Sequence, residues 1–533
     1  MKCIQYITLA GCILAIQACT RGFEDLNVNK AGFNNLDAQY QLTKVQADMS
    51  GDREDVWRYD LGITSPIVQH LGGSWWTQHG GMYKIVDKTH WYSHWEATYP
   101  RELKNLHDMI DKTAGDPAKA NMHAPARIVK VMVYSKLTDL YGDIPYTEAS
   151  KGFVDKNFMP KYDKQEDIYK DFFKELDEAS KELDVSGPAI SGDIWFNGSV
   201  AKWKKLANSM RLRLGFRLTR RDLAEAKKQV EAAISGGVMT ELADICMTRH
   251  ESFSWVSGSG DSRGNGRSQV FKSEPRSGGF RLVKTLVDTL VKYQDPRLYI
   301  FGGTYFGQKI VGDPTLLDIS GLMPAIGVSP GAMAWNEWGD YGTVNLPGGG
   351  SIWVGQDDRF VQPSKYVSAL NAPFFHVTPA EVEYLLAEAA LRGWGGVTDA
   401  EGHFKKGLQY ACEAMQYYPG SPAIQQTAID NFKNKFNPFP TIFDSAMSRV
   451  HTQMWVNFFL NGTEAYANWR RTGLPDLKRF KGVDWYSPGA DTMPRRFFYP
   501  ESEILLNPNN YQEAIGRMNN TNDMMTPVWW DKQ

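Results

Sequence analysis

Cysteine is scarce: the 533-residue chain has five, three of them within its first 19 positions. Only Cys246 and Cys412 remain in the body, too few for a disulfide framework and without the paired spacing of a zinc site. They read as small buried hydrophobes. An excess of either charge is also missing, since 59 Lys and Arg stand against 61 Asp and Glu for a net charge of −2. That balance suggests neither a nucleic-acid footprint nor a basic membrane-binding surface. No nucleophile elbow, zinc-protease helix or phosphate loop occurs, and the glycines at 258, 260, 264 and 266 are not expected to open a helix. The chain is therefore read as a non-enzyme, with no cofactor and no metal.

What the chain has in quantity is rings. Aromatic content is 13%, with 17 Trp. Core packing absorbs many such rings, but Trp also stacks on the apolar faces of sugars. The length exceeds a typical domain several-fold, and 42% apolar with 23% charged residues allows a large core. Trp91, Trp95, Tyr99 and Leu103 recur every fourth position and continue through Leu106 and Ile110, the buried stripe of a helix. Trp75 and Trp76 sit instead inside Gly72-Gly-Ser-Trp-Trp-Thr-Gln-His-Gly-Gly81, where the glycines place them on a loop. Ligand contact and core plugging are both open for these two. His79, His90 and His94 lack a matching acidic or Cys partner and are expected to be neutral, hydrogen-bonding residues.

Residues 126–149 organise the rest. Ile128, Val131, Met132, Leu137 and Leu140 give a helix one apolar face, and Gly142 and Pro145 end it. Asp139, Tyr141, Asp143 and Tyr146 at that end are expected to satisfy backbone groups and lock the next helix. That helix carries Ile168, Phe172, Leu176, Ala179 and Leu183, with Asp163 as its expected N-cap. Trp203, Leu206, Met210 and Leu214 form a third apolar face, whose Arg211, Arg213 and Arg217 are expected in ion pairs. From 160 to 236 the helix pairs lie about 34 residues apart, the spacing of a tetratricopeptide-type array. Helices return at 379 with Pro379 in the first turn and Gly393 at the end, then around Phe404, Leu408 and Ala411, and over 441–460.

Between about 251 and 371 the chain is rich in Gly, Ser, Asn and Pro, and its only expected helix is Phe280 to Tyr293. Its rings are too many for a disordered linker: Trp255, Tyr305, Phe306, Trp335, Trp338, Tyr341 and Trp353. Trp335-Asn-Glu-Trp338-Gly-Asp-Tyr341 sets three rings beside Asn336, Glu337 and Asp340. Stacking platforms flanked by carboxylate and amide groups are what a hydroxyl-rich ligand needs. Two acids beside rings also fit a glycosidase pair, whose separation the sequence does not give.

Leu137-Thr-Asp-Leu-Tyr-Gly-Asp-Ile-Pro-Tyr-Thr-Glu-Ala149 closely resembles the signature of the SusD/RagB-like lipoproteins, nutrient-binding partners of TonB-dependent transporters in the outer membrane of Bacteroidota. The Lys-Trp, Ala-Asn-Ser and Leu-Arg-Leu pattern after 201, Asp295-Pro-Arg-Leu298, Ala467-Asn-Trp-Arg-Arg-Thr-Gly-Leu-Pro475 and Arg495-Arg-Phe-Phe-Tyr-Pro-Glu-Ser-Glu503 resemble the same family. Arg470 and Arg471 are expected to tie two segments together. Residues 4–16 have signal-peptide length and are too short for a permanent membrane span. Ile16-Gln-Ala-Cys19 resembles a lipobox and is preferred over Leu9-Ala-Gly-Cys12, so residues 1–18 are expected to be a lipoprotein signal peptide and Cys19 the acylated first residue of the mature chain. Asp25, Asn27 and Asn29 mimic the start of a calcium loop, which Lys30 spoils.

The resemblance implies a mainly α, SusD-like domain over 19–533, with a helical scaffold at about 36–250 and 372–533 and a loop-rich ligand region at about 251–371. It implies a lipid-anchored outer-membrane protein, facing the cell exterior, that binds an oligosaccharide and delivers it to a SusC-like TonB-dependent transporter. The family's aromatic arc corresponds by position to Trp75 and Trp76 and to the 335–353 region, so the expected ligand-binding residues are Trp75, Trp76, Trp335, Asn336, Trp338, Tyr341 and Trp353. Peptide capture by the same fold and a surface glycoside hydrolase are the alternatives.

Overall fold

The computed structural model describes residues 36–152, 155–254, 261–273, 279–307, 313, 315–482 and 487–532. Cys19, the signal segment, the calcium-like stretch and Trp255 lie outside them. Among the described residues sixteen helices have seven residues or more: α1 (Ala38–Asp48), α2 (Arg53–Tyr59), α3 (Thr89–Thr98), α4 (Lys104–Thr113), α5 (Ala120–Tyr141), α6 (Gln165–Glu182), α7 (Val200–Arg217), α8 (Leu223–Gly236), α9 (Gly266–Lys272), α10 (Lys284–Lys292), α11 (Pro379–Arg392), α12 (Ala400–Glu413), α13 (Gln426–Asn434), α14 (Phe443–Asn457), α15 (Gly462–Thr472) and α16 (Pro508–Gly516). The strands are short: β1 (Leu71–Gly72), β2 (Cys246–Thr248), β3 (Arg281–Leu282), β4 (Gly342–Asn345), β5 (Ser351–Val354) and β6 (Phe374–Val377) form the antiparallel pairs β1–β3, β2–β6 and β4–β5. The fold is mainly α, as expected.

Each of α5, α6 and α7 packs on its successor, and α11 packs on α7, α12 and α14. The apolar stripes explain the order. Ile128, Val131, Leu137 and Leu140 of α5, Ile168, Phe172 and Leu176 of α6, and Trp203, Leu206 and Leu214 of α7 are all buried in one core. Trp91, Trp95, Leu103 and Leu106 are buried too, although Pro100 replaces the α ladder there by a π turn, Tyr99–Leu103, between α3 and α4. Cys246 and Cys412 are buried free thiols.

The end of α5 behaves as a packing hinge. Gly142 takes a φ of 87° that a side chain would resist. Tyr141 donates to the Trp91 carbonyl at 3.0 Å, Tyr146 to Asp171 at 2.5 Å, and Tyr169 and Trp530 both donate to Asp139 at 2.5 and 2.7 Å. The cap of α6 differs from the expectation. Asp163 accepts from the backbone of Tyr146 and Thr147, while Asp143 accepts the Gln165 amide at 2.8 Å. The tight turn brings an acid 22 residues upstream into the capping position, which leaves Asp163 free to brace the turn itself.

Between 251 and 371 two further differences emerge. The helix expected over Phe280 to Tyr293 begins only at Lys284, because Arg281 and Leu282 pair with β1. Gly266 does open a helix, the seven-residue α9. A Cβ there would meet Gly51 O at 2.5 Å, so glycine permits close approach of two backbones, and Asn265 caps the helix.

Buried arginines tie distant helices. Arg213 grips Glu381 with two bonds of 2.6 Å, Arg217 reaches Glu464 at 2.7 Å and Asp139 at 3.2 Å, and Arg211 reaches Asp177 at 2.9 Å. Arg470 donates to the Arg495 carbonyl, and Arg471 holds Glu388 with two bonds of 2.9 Å. Burial pushes the Glu388 carboxyl up, but Arg471, His451 and Arg392 outweigh it and hold it well below the usual carboxylate range. Glu388→Ala strands the Arg471 guanidinium in the core and is expected to cost about 3–5 kcal/mol, read as a lowered midpoint in urea unfolding; a loss under about 1 kcal/mol would contradict this account.

Candidate ligand-binding platform

The platform begins where two distant segments meet. Gly73 pairs in parallel with Met333: its amide donates to the Ala332 carbonyl at 3.1 Å, and its carbonyl accepts from the Ala334 amide at 2.9 Å. Gly73 has a φ of 81°, and a Cβ there would lie 2.7 Å from the Arg281 side chain of β3, so glycine suits this position. Two residues beyond the pair on each segment stand Trp75 and Trp335, each in a short 3₁₀ turn, 48% and 44% exposed. The glycines around Trp75 thus leave room for β1 and that turn, where the sequence reading has a loop.

The two neighbouring tryptophans part company. Trp76 is partly buried, edge-on to Trp57 at 4.6 Å and stacked on His90 at 5.5 Å, while His90 stacks on His79 at 4.4 Å. Trp76 is a plug and Trp75 a free ring. Burial holds His79 down to about 4 and His90 to about 3, so both are neutral imidazoles. His94 lies apart, its Nδ1 3.2 Å from Asp55. Among the described residues no group of His, Cys, Asp and Glu has the arrangement of a metal site.

The remaining rings come from one module. In the β4–β5 hairpin Val344, Ile352 and Val354 turn inward onto Ile319 and Met323, which leaves Trp353 and Thr343 paired on the outer face. Tyr341, just before β4, donates its amide to the Val354 carbonyl at 3.0 Å. Trp353 is 61% exposed, Tyr341 39% and Trp338 81%, values that a fold tolerates at a binding surface more readily than elsewhere. Asn336 is half-buried beside Trp335. Tyr305, by contrast, is buried in the body.

The acids between these rings act as struts. Glu337 accepts from the Ser329 amide at 2.9 Å and its hydroxyl at 2.7 Å, and Asp340 accepts the Trp353 indole N–H at 3.1 Å. Two supports escaped the sequence reading. Arg359 caps the carbonyls of Glu337, Trp338 and Gly339, and Gln356 donates to the Trp335 carbonyl at 2.6 Å. The one signal pointing to Arg359 was its position as the first basic residue after a long stretch with none.

Residues 37–500 match the family model described as starch-binding and associating with the outer membrane. The chain belongs to the SusD-like family. A solved chitin-binding protein is 37% identical, with a TM-score of 0.79 over 93% of this chain and 100% of its own. A SusD-like protein of Bacteroidetes AC2a is 29% identical at a TM-score of 0.84, again over 93% and 100%. A chitin-binding SusD homologue from Flavobacterium johnsoniae shares the fold at 21% identity and a TM-score of 0.69, over 93% and 99%. No curated protein matches the chain. Among the described residues of this SusD-like chain no helix is long and apolar enough to cross a membrane.

The neutral histidines beneath Trp76 give the platform a pH limit. Both folded values lie below the ordinary 6.5 of an unfolded histidine, so their contribution is complete above 6.5 and is lost as pH falls towards 4 and then 3. Melting temperature is expected to drop across that window, and a His79→Asn, His90→Asn variant is expected to show a flatter profile; an equally steep profile would place the acid sensitivity elsewhere.

Proposed function

We propose that this SusD-like chain is a cell-surface lipoprotein, anchored through Cys19, that binds an oligosaccharide on its aromatic platform and passes it to a SusC-like TonB-dependent transporter. The loop-rich stretch of about 251–371 supplies most of the ligand-binding residues, and the helical segments on either side form the scaffold. Trp75, Trp335, Trp338, Tyr341 and Trp353 stack on sugar faces, Asn336 supplies an amide for hydroxyl or acetamido groups, and Trp76 holds the floor.

One observation carries the reading: the Gly73–Met333 pair sets the exposed rings of Trp75 and Trp335 on neighbouring backbone turns, and three further exposed rings, Trp338, Tyr341 and Trp353, follow Trp335 within the next 18 residues. Stacking against the C–H faces of sugars covers such rings without an enclosed pocket. The 37% identical relative is a chitin-binding protein, which favours N-acetylated oligosaccharides as the first ligands to try. The engagement of Glu337 and Asp340 within the loop favours binding and delivery over hydrolysis.

In affinity gels containing soluble polysaccharides, the protein is expected to be retarded by at least one glycan, and Trp335→Ala or Trp75→Ala to weaken that binding about tenfold. Binding untouched by loss of every exposed ring would overturn the site. New reducing ends from a bound glycan would favour a hydrolase, and co-purification with an outer-membrane barrel tests the transporter partnership.

A further inference from the structure

The ring-bearing segments are short of positive charge. From residue 59 to residue 83, and again from 315 to 358, the sequence contains no Lys and no Arg. With 59 Lys and Arg in 533 residues, the second stretch alone would ordinarily hold about five. It contains instead Asp318, Glu337, Asp340, Asp357 and Asp358. The base that closes the stretch, Arg359, spends its guanidinium on the carbonyls of residues 337–339 and points its charge into the loop. Arg58, on the other flank, lies over Trp57 and pairs with Glu54 at 3.5 Å.

The acids are not spread evenly. Asp318 is drawn off by Lys365 at 3.5 Å, and Glu337 is held by Ser329. Asp340 is exposed and fixed at the edge of the Trp353 indole. A sugar stacked on Trp353 therefore meets a carboxylate beside the ring. An ammonium substituent there gains from both the carboxylate and the ring face. A uronate or sulfate substituent meets like charge beside the ring, and the neighbouring Arg359 guanidinium is directed at the loop carbonyls.

We infer that the platform selects its ligand by charge: it takes oligosaccharides that are neutral or carry free amino groups, such as partly deacetylated amino-sugar chains, and refuses polyanionic ones, with Asp340 as the residue that sets the preference. This rests on the glycan-binding reading above and adds a substrate class to it.

The test is calorimetric titration of the full chain with three hexamers, N-acetylchitohexaose, its fully deacetylated counterpart and oligogalacturonate, below the pKa of the amine and at two salt concentrations. Oligogalacturonate is expected to bind at least about tenfold more weakly than the neutral hexamer, and raised salt to weaken the deacetylated hexamer more than the neutral one. Asp340→Asn keeps an acceptor for the indole N–H and is expected to lower the ratio of deacetylated to neutral affinity about threefold to fivefold. Asp340→Lys is expected to narrow the gap between oligogalacturonate and the neutral hexamer. Equal affinity for the neutral and anionic hexamers, or a ratio unmoved by both substitutions, overturns the charge selection while leaving glycan binding intact. No binding of any hexamer or polysaccharide overturns the glycan reading and this inference with it.

Discussion

The buried charges between α5, α7, α11 and α15 are the constraint on which the rest of the body depends. Asp139, Arg217, Glu464, Arg213 and Glu381 form a chain of contacts between helices that lie far apart in sequence. Burial pushes the Asp139 carboxyl up against the pull of Arg217, so the group is tolerable only while its partners keep their places. A buried ion pair contributes little net stability, because desolvation offsets the Coulomb gain, yet a misplaced partner is costly. Such a network penalises every wrong helix register and leaves the right one standing. Arg213 adds a bond of 2.8 Å to the His376 carbonyl, which carries the same constraint from α7 and α11 into β6, at the edge of the loop-rich stretch.

Legibility in the sequence followed the range of the interaction. The stripe of α5, the stop at Gly142, Pro379 in the first turn of α11, and Gly393 at its end rest on residues a few positions apart, and the structure has them all. That Arg213 and Arg217 are paired was readable from the helix; that their partners are Glu381 and Glu464, 168 and 247 residues on, was not. The cap of α6 shows the same limit in miniature. Asp163 satisfied the local rule, and Asp143 won because a tight turn placed it closer. Gly266 looked unsuited to starting a helix until the backbone of Gly51 was found against it.

At the platform the limit is sharper. Trp75 and Trp76 are adjacent, share one glycine-rich context and have opposite fates. What separates them is the 3₁₀ turn and the presence of Trp57 and His90 on one side of it, and neither is visible in a local pattern. The hairpin alternation that turns Trp353 out and Val354 in is a period-two signal that could have been read from Gly342 to Val354. Glycines interrupt it at 348, 349 and 350, and the two strands are only four residues long. Arg359 and Gln356 act on backbone carbonyls, which carry no residue-specific mark.

The family motif and the proposed ligand surface occupy different parts of this chain for a physical reason. In the stretch that most resembles the family, most polar side chains are committed inward: Thr138 donates to the Gly142 carbonyl, Tyr141 to the Trp91 carbonyl and Tyr146 to Asp171, while Asp139 and Asp143 hold four side chains and the first amide of α6. Replacing any of them leaves a buried group unsatisfied, so variation there alters the fold before it alters any ligand. The outward face of the β4–β5 hairpin and the loop before it have the opposite property. The backbone of that loop is held by Arg359 and Gln356, and Trp338 and Trp353 are largely in solvent, so rings and charges can be exchanged there with little effect on the core. A scaffold that fixes helix register from within can therefore carry binding surfaces of different chemistry, and on this chain the exposed surface combines stacking rings with an excess of carboxylates.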